Sequence, residues 1–142
     1  MVDWRMWALD LSKLRVGLRG SADLVVADEH TARSVGSGKV AVLATPVMIN
    51  LIEAAALAAC EAQLPEGFQS LGIHLDVRHF AATPVGMRVE ATAELVGIEG
   101  RTLSFRVEAR DARELIGDGT HQRVVVNHER YVERIRKKSA GV

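Results

Sequence analysis

Cysteine is almost missing: Cys60 is the only one in 142 residues, which excludes an internal disulfide and a cysteine-built zinc cluster. It stands in an alanine-rich apolar run and reads as a small core residue. Net charge is missing too. Eighteen Lys and Arg balance 18 Asp and Glu, so no global field draws the chain to nucleic acid or an anionic membrane, and any recognition of an anion has to be local. The opening MVDWRMWALDLSKL is broken by Asp3, Arg5, Asp10 and Lys13, so it lacks the unbroken apolar stretch of a signal peptide and the length of a membrane span. The cytoplasm is the expected location. No serine sits in a G-x-S-x-G elbow, which leaves a serine hydrolase unsupported. The glycine-containing loop DEHTARSVGSGKV is not a P-loop, because Arg33 stands where glycine is required and Val40 where Ser or Thr is required. Internal repeats, low-complexity tracts and linkers are absent as well.

What is present is apolar and patterned. With 48% hydrophobic residues the chain suits one domain that buries roughly two-thirds of its unfolded surface. Trp4, Trp7, Leu11 and Leu14 recur at near-helical spacing and suggest a short packing segment. LRVGLRGSADLVVA reads as a first strand. The clearest helix follows: Thr45 is expected as N-cap, Pro46 suits the first helical position, and Pro65 with Gly67 ends the element after about 18 residues. Segments 68–82, 87–98, 102–111 and 115–127 alternate in polarity or are rich in Val, Ile, Thr and Phe, and short turns such as GIEGRT join them as consecutive antiparallel strands. The tail HERYVERIRKKSAGV is expected to form a helical turn or two. The economical arrangement is an α+β fold of about five strands curled around one buried helix.

One residue of that helix does not belong in a core. From Leu51 to Cys60 only Glu53 is polar, and an unpartnered buried carboxylate costs several kcal/mol, so it should have partners. Asn50, one turn earlier, is one candidate. His79 is the other, since in an extended HLDVRHFAATPVG it shares the apolar face with Leu75, Val77 and Ala81. Two readings stand side by side: a satisfied polar network that fixes strand register, or a desolvated carboxylate that serves as general base or nucleophile. In the second, Thr45 lies eight residues before Glu53 on the same side of the helix, with the Val47 and Met48 N–H groups as donors to a developing negative charge. Carbonyl chemistry is the natural candidate. Other groups rank lower. His74 and Asp76 share a strand face but lack a nearby third metal ligand, so no metal is expected; His121 and Arg123 are as readily a surface pair as a contact to pantetheine or phosphate; Arg134, Arg136, Lys137 and Lys138 read as a solvated tail rather than a phosphate site.

Four ordered motifs, ATPVMINLIEAA, SLGIHLDVRHFAATPVGMRV, LVGIEGRTLSFRVEARD and LIGDGTHQRVVV, together resemble the hotdog-fold thioesterases related to fluoroacetyl-CoA thioesterase. The likeness runs from about residue 15 to 131, leaving residues 1–14 as an N-terminal extension and 15–142 as the domain. It implies a hotdog domain, a homodimer, and hydrolysis of a small acyl-CoA to acid and free CoA, with CoA as part of the substrate and no separate cofactor. It also implies a catalytic group of Thr45, Glu53 and His79, with Gly72 of S-L-G and Arg123 of G-T-H-x-R contributing to the site. The chain departs from that pattern in three places: SVGSGKVAVLA, before the threonine, has no phenylalanine to close over a fluorinated acyl group; Gln122 replaces a glutamate; and Ile73-His74 replaces a smaller pair. Fluoroacetyl-CoA is therefore not the expected substrate. A dehydratase or isomerase of the same fold acting on acyl-CoA, or an acyl-CoA-binding dimer without turnover, are the competing readings.

Overall fold

A computed structural model of the chain describes residues 9–141, so the expected packing of Trp4 and Trp7 lies outside the described residues. The elements run β1 (Arg19–Val25), α1 (Ala32–Val35), α2 (Thr45–Cys60), β2 (Phe68–His79), β3 (Arg88–Glu99), β4 (Thr102–Asp111), β5 (Leu115–Asn127) and α3 (His128–Ala140). All five strands join one antiparallel sheet in the order β1-β3-β4-β5-β2. Strict alternation builds it. Val89, Ala91, Ala93 and Leu95 of β3 and Leu103, Phe105, Val107 and Ala109 of β4 are buried against α2, while Glu94, Arg106 and Arg19 face outward and pair with one another.

Helix α2 supplies the other half of the core. Met48, Leu51, Ile52, Ala55, Ala56, Ala59 and Cys60 are buried, each large side chain contributing about 1.5–3 kcal/mol. Its remaining face, with Asn50, Ala54 and Leu57, is exposed, so the sheet covers this helix on one side only. The close approach of β1 to α2 requires Gly20. A Cβ there would come within 2.3 Å of the Ala59 nitrogen and 2.4 Å of the Ala55 oxygen.

Three expectations need correction. Ala44, not Thr45, is the N-cap: Thr45 is already the first helical residue and Pro46 the second. Residues 9–14 form no helix, although Leu14, a core residue at 5% exposure, packs on the body as expected. The tail forms a 13-residue helix rather than a turn or two, capped by the Asn127 side chain, which accepts a bond from the Arg130 N–H.

Strand β2 lies at one end of the sheet and is irregular. Its pairing with β5 shifts between Gly72 and His74, leaving Ile73 as a bulged residue. Ser70 and His79 are nine residues apart and would point to opposite faces of a regular strand. The extra residue puts both on the side of α2.

Candidate active site

Two clusters of polar side chains occupy the helix-facing side of the sheet. The first lies at the start of α2, where the Thr45 hydroxyl is 2.7 Å from Nδ1 of His79. The other ring nitrogen, Nε2, is buried and has no hydrogen-bond partner. Burial holds this imidazole below its ordinary pKa, against a smaller opposing effect of the Ala81 backbone, and so favours the neutral ring. A cleft of about 290 Å³ opens beside the pair, lined by Ala32, Ser37, Val42, Leu43, Ala81 and Ala82 with Phe80 at its side. Another cleft, of about 260 Å³, lies between Arg19, Glu94 and Arg106; it shares no lining residue with the first, and its charges already pair with one another.

Of the helix-start donors expected for an oxyanion, Val47 and Met48 are unsuitable: both N–H groups donate to the Ala44 carbonyl, at 3.1 Å each. Among the described residues no protein acceptor takes the Thr45 N–H, which leaves it as the donor at this end.

The second cluster surrounds Glu53, roughly 12 Å along the helix from Thr45 at 1.5 Å per residue. Here the structure corrects the sequence reading. Within the protomer Glu53 does not bond to His79 or Asn50; Asn50 is exposed, and the carboxylate oxygen Oε2 instead lies 3.4 Å from Nη1 of Arg123. Arg123 is no surface residue. At 4% exposure it donates through Nε to the Ser70 hydroxyl (2.8 Å) and through Nη2 to the Ser70 carbonyl (3.0 Å), and Ser70 in turn donates to Glu61 (2.9 Å). One buried guanidinium is thus tied to the Glu53 carboxylate directly and to Glu61 through Ser70, an arrangement that lets a charge stay ionised away from water. His121, fully buried, completes the cluster with Nε2 at 3.1 Å from Arg123 Nη1 and Nδ1 at 2.8 Å from the His74 carbonyl oxygen.

Gly72 lies against this carboxylate. A Cβ at that position would lie 2.5 Å from Glu53 Oε2. Sequence reasoning named Gly72, Glu53 and Arg123 but missed Ser70, Glu61 and the burial of His121. Gln122 bonds to Ser104 at 3.3 Å, Ser104 lying between the inward Leu103 and Phe105, so the glutamine departure falls on the outer face. Among the described residues no three His, Cys, Asp or Glu side chains come together as a metal site.

A five-stranded antiparallel sheet half-wrapped around one apolar helix, with Thr45, His79, Glu53 and Arg123 on its helix-facing side, is the hotdog fold of thioesterases, and its relatives make the chain a thioester hydrolase. The model of the fluoroacetyl-CoA-specific thioesterase family matches residues 26–129, and the chain belongs to that family. It is similar to the fluoroacetyl-CoA thioesterase of Streptantibioticus cattleyicolor, 42% identical over 132 residues that cover 89% of this chain and 95% of that protein. A solved variant of the fluoroacetyl-CoA-specific thioesterase FlK in complex with fluoroacetate and CoA is 41% identical, with a TM-score of 0.78 over 83% of this chain and 99% of that one. A hot-dog-like protein from Thermanaerovibrio acidaminovorans, 22% identical, shares the fold, with a TM-score of 0.82 over 96% of this chain and 97% of that one.

Proposed function

We propose that the protein hydrolyses a small acyl-CoA thioester to the free acid and CoA, at a site completed between two protomers. The observation that carries this reading is the 2.7 Å contact of Thr45 with His79 beside a cleft lined largely by apolar residues. A thioester carbonyl is electrophilic and its thiolate leaves readily, so a base or nucleophile and an oxyanion donor suffice. The Thr45 hydroxyl positions the acyl carbonyl and the Thr45 N–H faces the developing oxyanion. Neutral His79 polarises the site; in the base route it relays to the departing sulfur the proton that Glu53 takes from the attacking water and ends neutral again, and in the covalent route the sulfur leaves as thiolate. The acyl group occupies the cleft. Its walls before Thr45 carry Ala32, Ser37, Val42 and Leu43 and no aromatic side chain, which favours an acyl group other than fluoroacetyl.

Glu53 supplies the attack, as a general base on water or as a nucleophile that forms a transient anhydride. It is too far along its own helix to meet its own Thr45, so the partner subunit brings it. The edge strand β2 exposes Ile73 and Leu75 at 55% and 37%, with Phe80 just past its end at 51%, an apolar run that favours antiparallel pairing with a second copy. A two-fold axis between Leu75 and Asp76 sets Gly72 opposite the partner's His79, and Glu53 follows Gly72.

Release of free thiol from short, branched and aryl acyl-CoAs tests the activity. Wild-type protein is expected to release thiol from at least one of them, and Glu53→Gln to lose about 100-fold or more in kcat. Binding without thiol release would leave a non-catalytic acyl-CoA-binding dimer, and a dehydrated or isomerised product without thiol would assign the competing reaction. A single turnover in ¹⁸O-water tests covalent attack by Glu53: label in its carboxylate indicates an anhydride opened at the glutamyl carbonyl, whereas base catalysis leaves that carboxylate unlabelled.

A further inference from the structure

The strand β5 carries a buried imidazole that the proposed chemistry does not use. His121 is fully buried, between Phe105, whose ring centroid is 6.2 Å away, and the β2 bulge, where a Cβ on Gly72 would lie 3.2 Å from its ring. Its two hydrogen bonds leave a single protonation state. A guanidinium can only donate, so Nε2, 3.1 Å from Arg123 Nη1, has to be the bare acceptor. A carbonyl oxygen can only accept, so Nδ1, 2.8 Å from the His74 oxygen, has to carry the proton. The doubly protonated ring and the opposite tautomer each aim an N–H at an N–H. The charged and titratable groups around the ring are Arg123 on its own strand, Glu53 from α2 and His74 from β2.

The consequence falls on Glu53. Arg123 Nη1 has two N–H groups, one directed at Glu53 Oε2 and one at His121 Nε2, while Nε and Nη2 are engaged by Ser70. With the imidazole acceptor removed, that second N–H is buried without a partner and the guanidinium has to turn to satisfy it. From the other nitrogen His121 ties down the carbonyl of His74, next to the bulged Ile73 and two residues from the Gly72 that lies against the carboxylate.

We infer that His121 is the positioning residue of the reacting carboxylate, a neutral Nδ1–H imidazole that clamps Arg123 on one side and the β2 bulge on the other. This deepens the thioesterase reading and rests on it. His121 touches neither thioester nor water and acts through Arg123.

Two substitutions separate its two bonds. His121→Gln keeps an acceptor near the Nε2 position and loses the donor; His121→Asn keeps a donor near the Nδ1 position and loses the acceptor. Both disturb packing, so both lower Tm. If His121 positions Glu53, kcat for thiol release falls about 10-fold or more in His121→Asn at unchanged KM, while His121→Gln stays within about 3-fold of wild type. Added to Glu53→Gln, His121→Asn leaves the residual kcat unchanged, because the group it positions is gone. Equal losses in the two variants that follow their Tm, or an undiminished loss in the Glu53→Gln background, would overturn the inference. A wild-type protein that releases no thiol sinks the thioesterase reading instead. The clamp is then read by ¹⁵N NMR of the imidazole, which has to show a protonated Nδ1 and a bare Nε2 near neutral pH; the opposite tautomer overturns it without any turnover.

Discussion

His79 and His121 face the two ends of the same polar lining, and both are held below the ordinary imidazole pKa. Burial is the larger cause in each; the His74 carbonyl opposes it at His121, and Arg123 adds to it. The sign of the stability effect follows. Above the ordinary histidine pKa of about 6.5 neither the folded nor the unfolded chain carries these protons, so their contribution is complete; below it the unfolded chain binds protons that the folded chain refuses, and stability falls. Calorimetric Tm is therefore expected to hold between about pH 8 and about pH 7 and to drop toward about pH 5, with a shallower drop in His121→Gln. A flat Tm across that range would remove the burial account of both rings. Asp111, held below the usual carboxylate range by the Arg113 and Glu114 backbone and by Thr83 despite its desolvation, acts in a more acidic window and does not mimic the effect. At this scale the sequence announced that Glu53 needs a partner but not which one. Arg123 reads as surface because arginine is rarely buried, and only the alternation of His121, Arg123 and Val125, all buried, carries the signal that it points inward.

Two glycines separate stability from function at the level of the element. At Gly20 a Cβ meets main-chain atoms of α2 at 2.3 and 2.4 Å, which cannot swing aside, so β1 and α2 have to part. At Gly72 a Cβ meets the end of a flexible side chain, Glu53 Oε2 at 2.5 Å, which can, and the His121 ring at 3.2 Å, which has to give by a few tenths of an ångström. Gly20→Ala is expected to cost about 1–3 kcal/mol or more in denaturant unfolding, as over-packing does, whereas Gly72→Ala loses mainly kcat and its unfolding midpoint falls far less. A Gly72→Ala protein that unfolds as early as Gly20→Ala would show that Glu53 is wedged rather than mobile. The same contrast explains what was legible. The start of α2 could be read within one residue because Pro46 marks its first turn, and the strands because alternation repeats at every second position. The Ile73 bulge could not. It changes which face every later residue of β2 occupies, and it is defined only by the pairing with β5, which no local pattern in SLGIHLDVRH records.

At the level of the whole molecule the lining is divided: Thr45 and His79 bond at one end of α2, and Glu53 with Arg123 lies about two turns further along. Under the proposed two-fold pairing through the β2 edge, assembly and chemistry are expected to fail together. Complementation tests this without assuming a mechanism. Glu53→Gln and His79→Ala are each expected to be nearly inactive alone. Mixed in equal amounts after unfolding and refolding, half of the dimers that form are heterodimers, and in each the glutamine protomer lends His79 to the alanine protomer's Glu53. That rebuilds one of two sites, so about a quarter of wild-type activity returns if reacting groups come from different chains, by the same closed two-fold symmetry that pairs the edges. If all three groups act within one chain, every protomer in the mixture remains defective and nothing returns. A Leu75→Glu change on the edge strand, which buries a charge at the junction, is expected to give monomers by light scattering with thiol release lost in proportion to the dimer. Monomers that keep full activity would place the whole reaction within a single wrapped helix and its sheet.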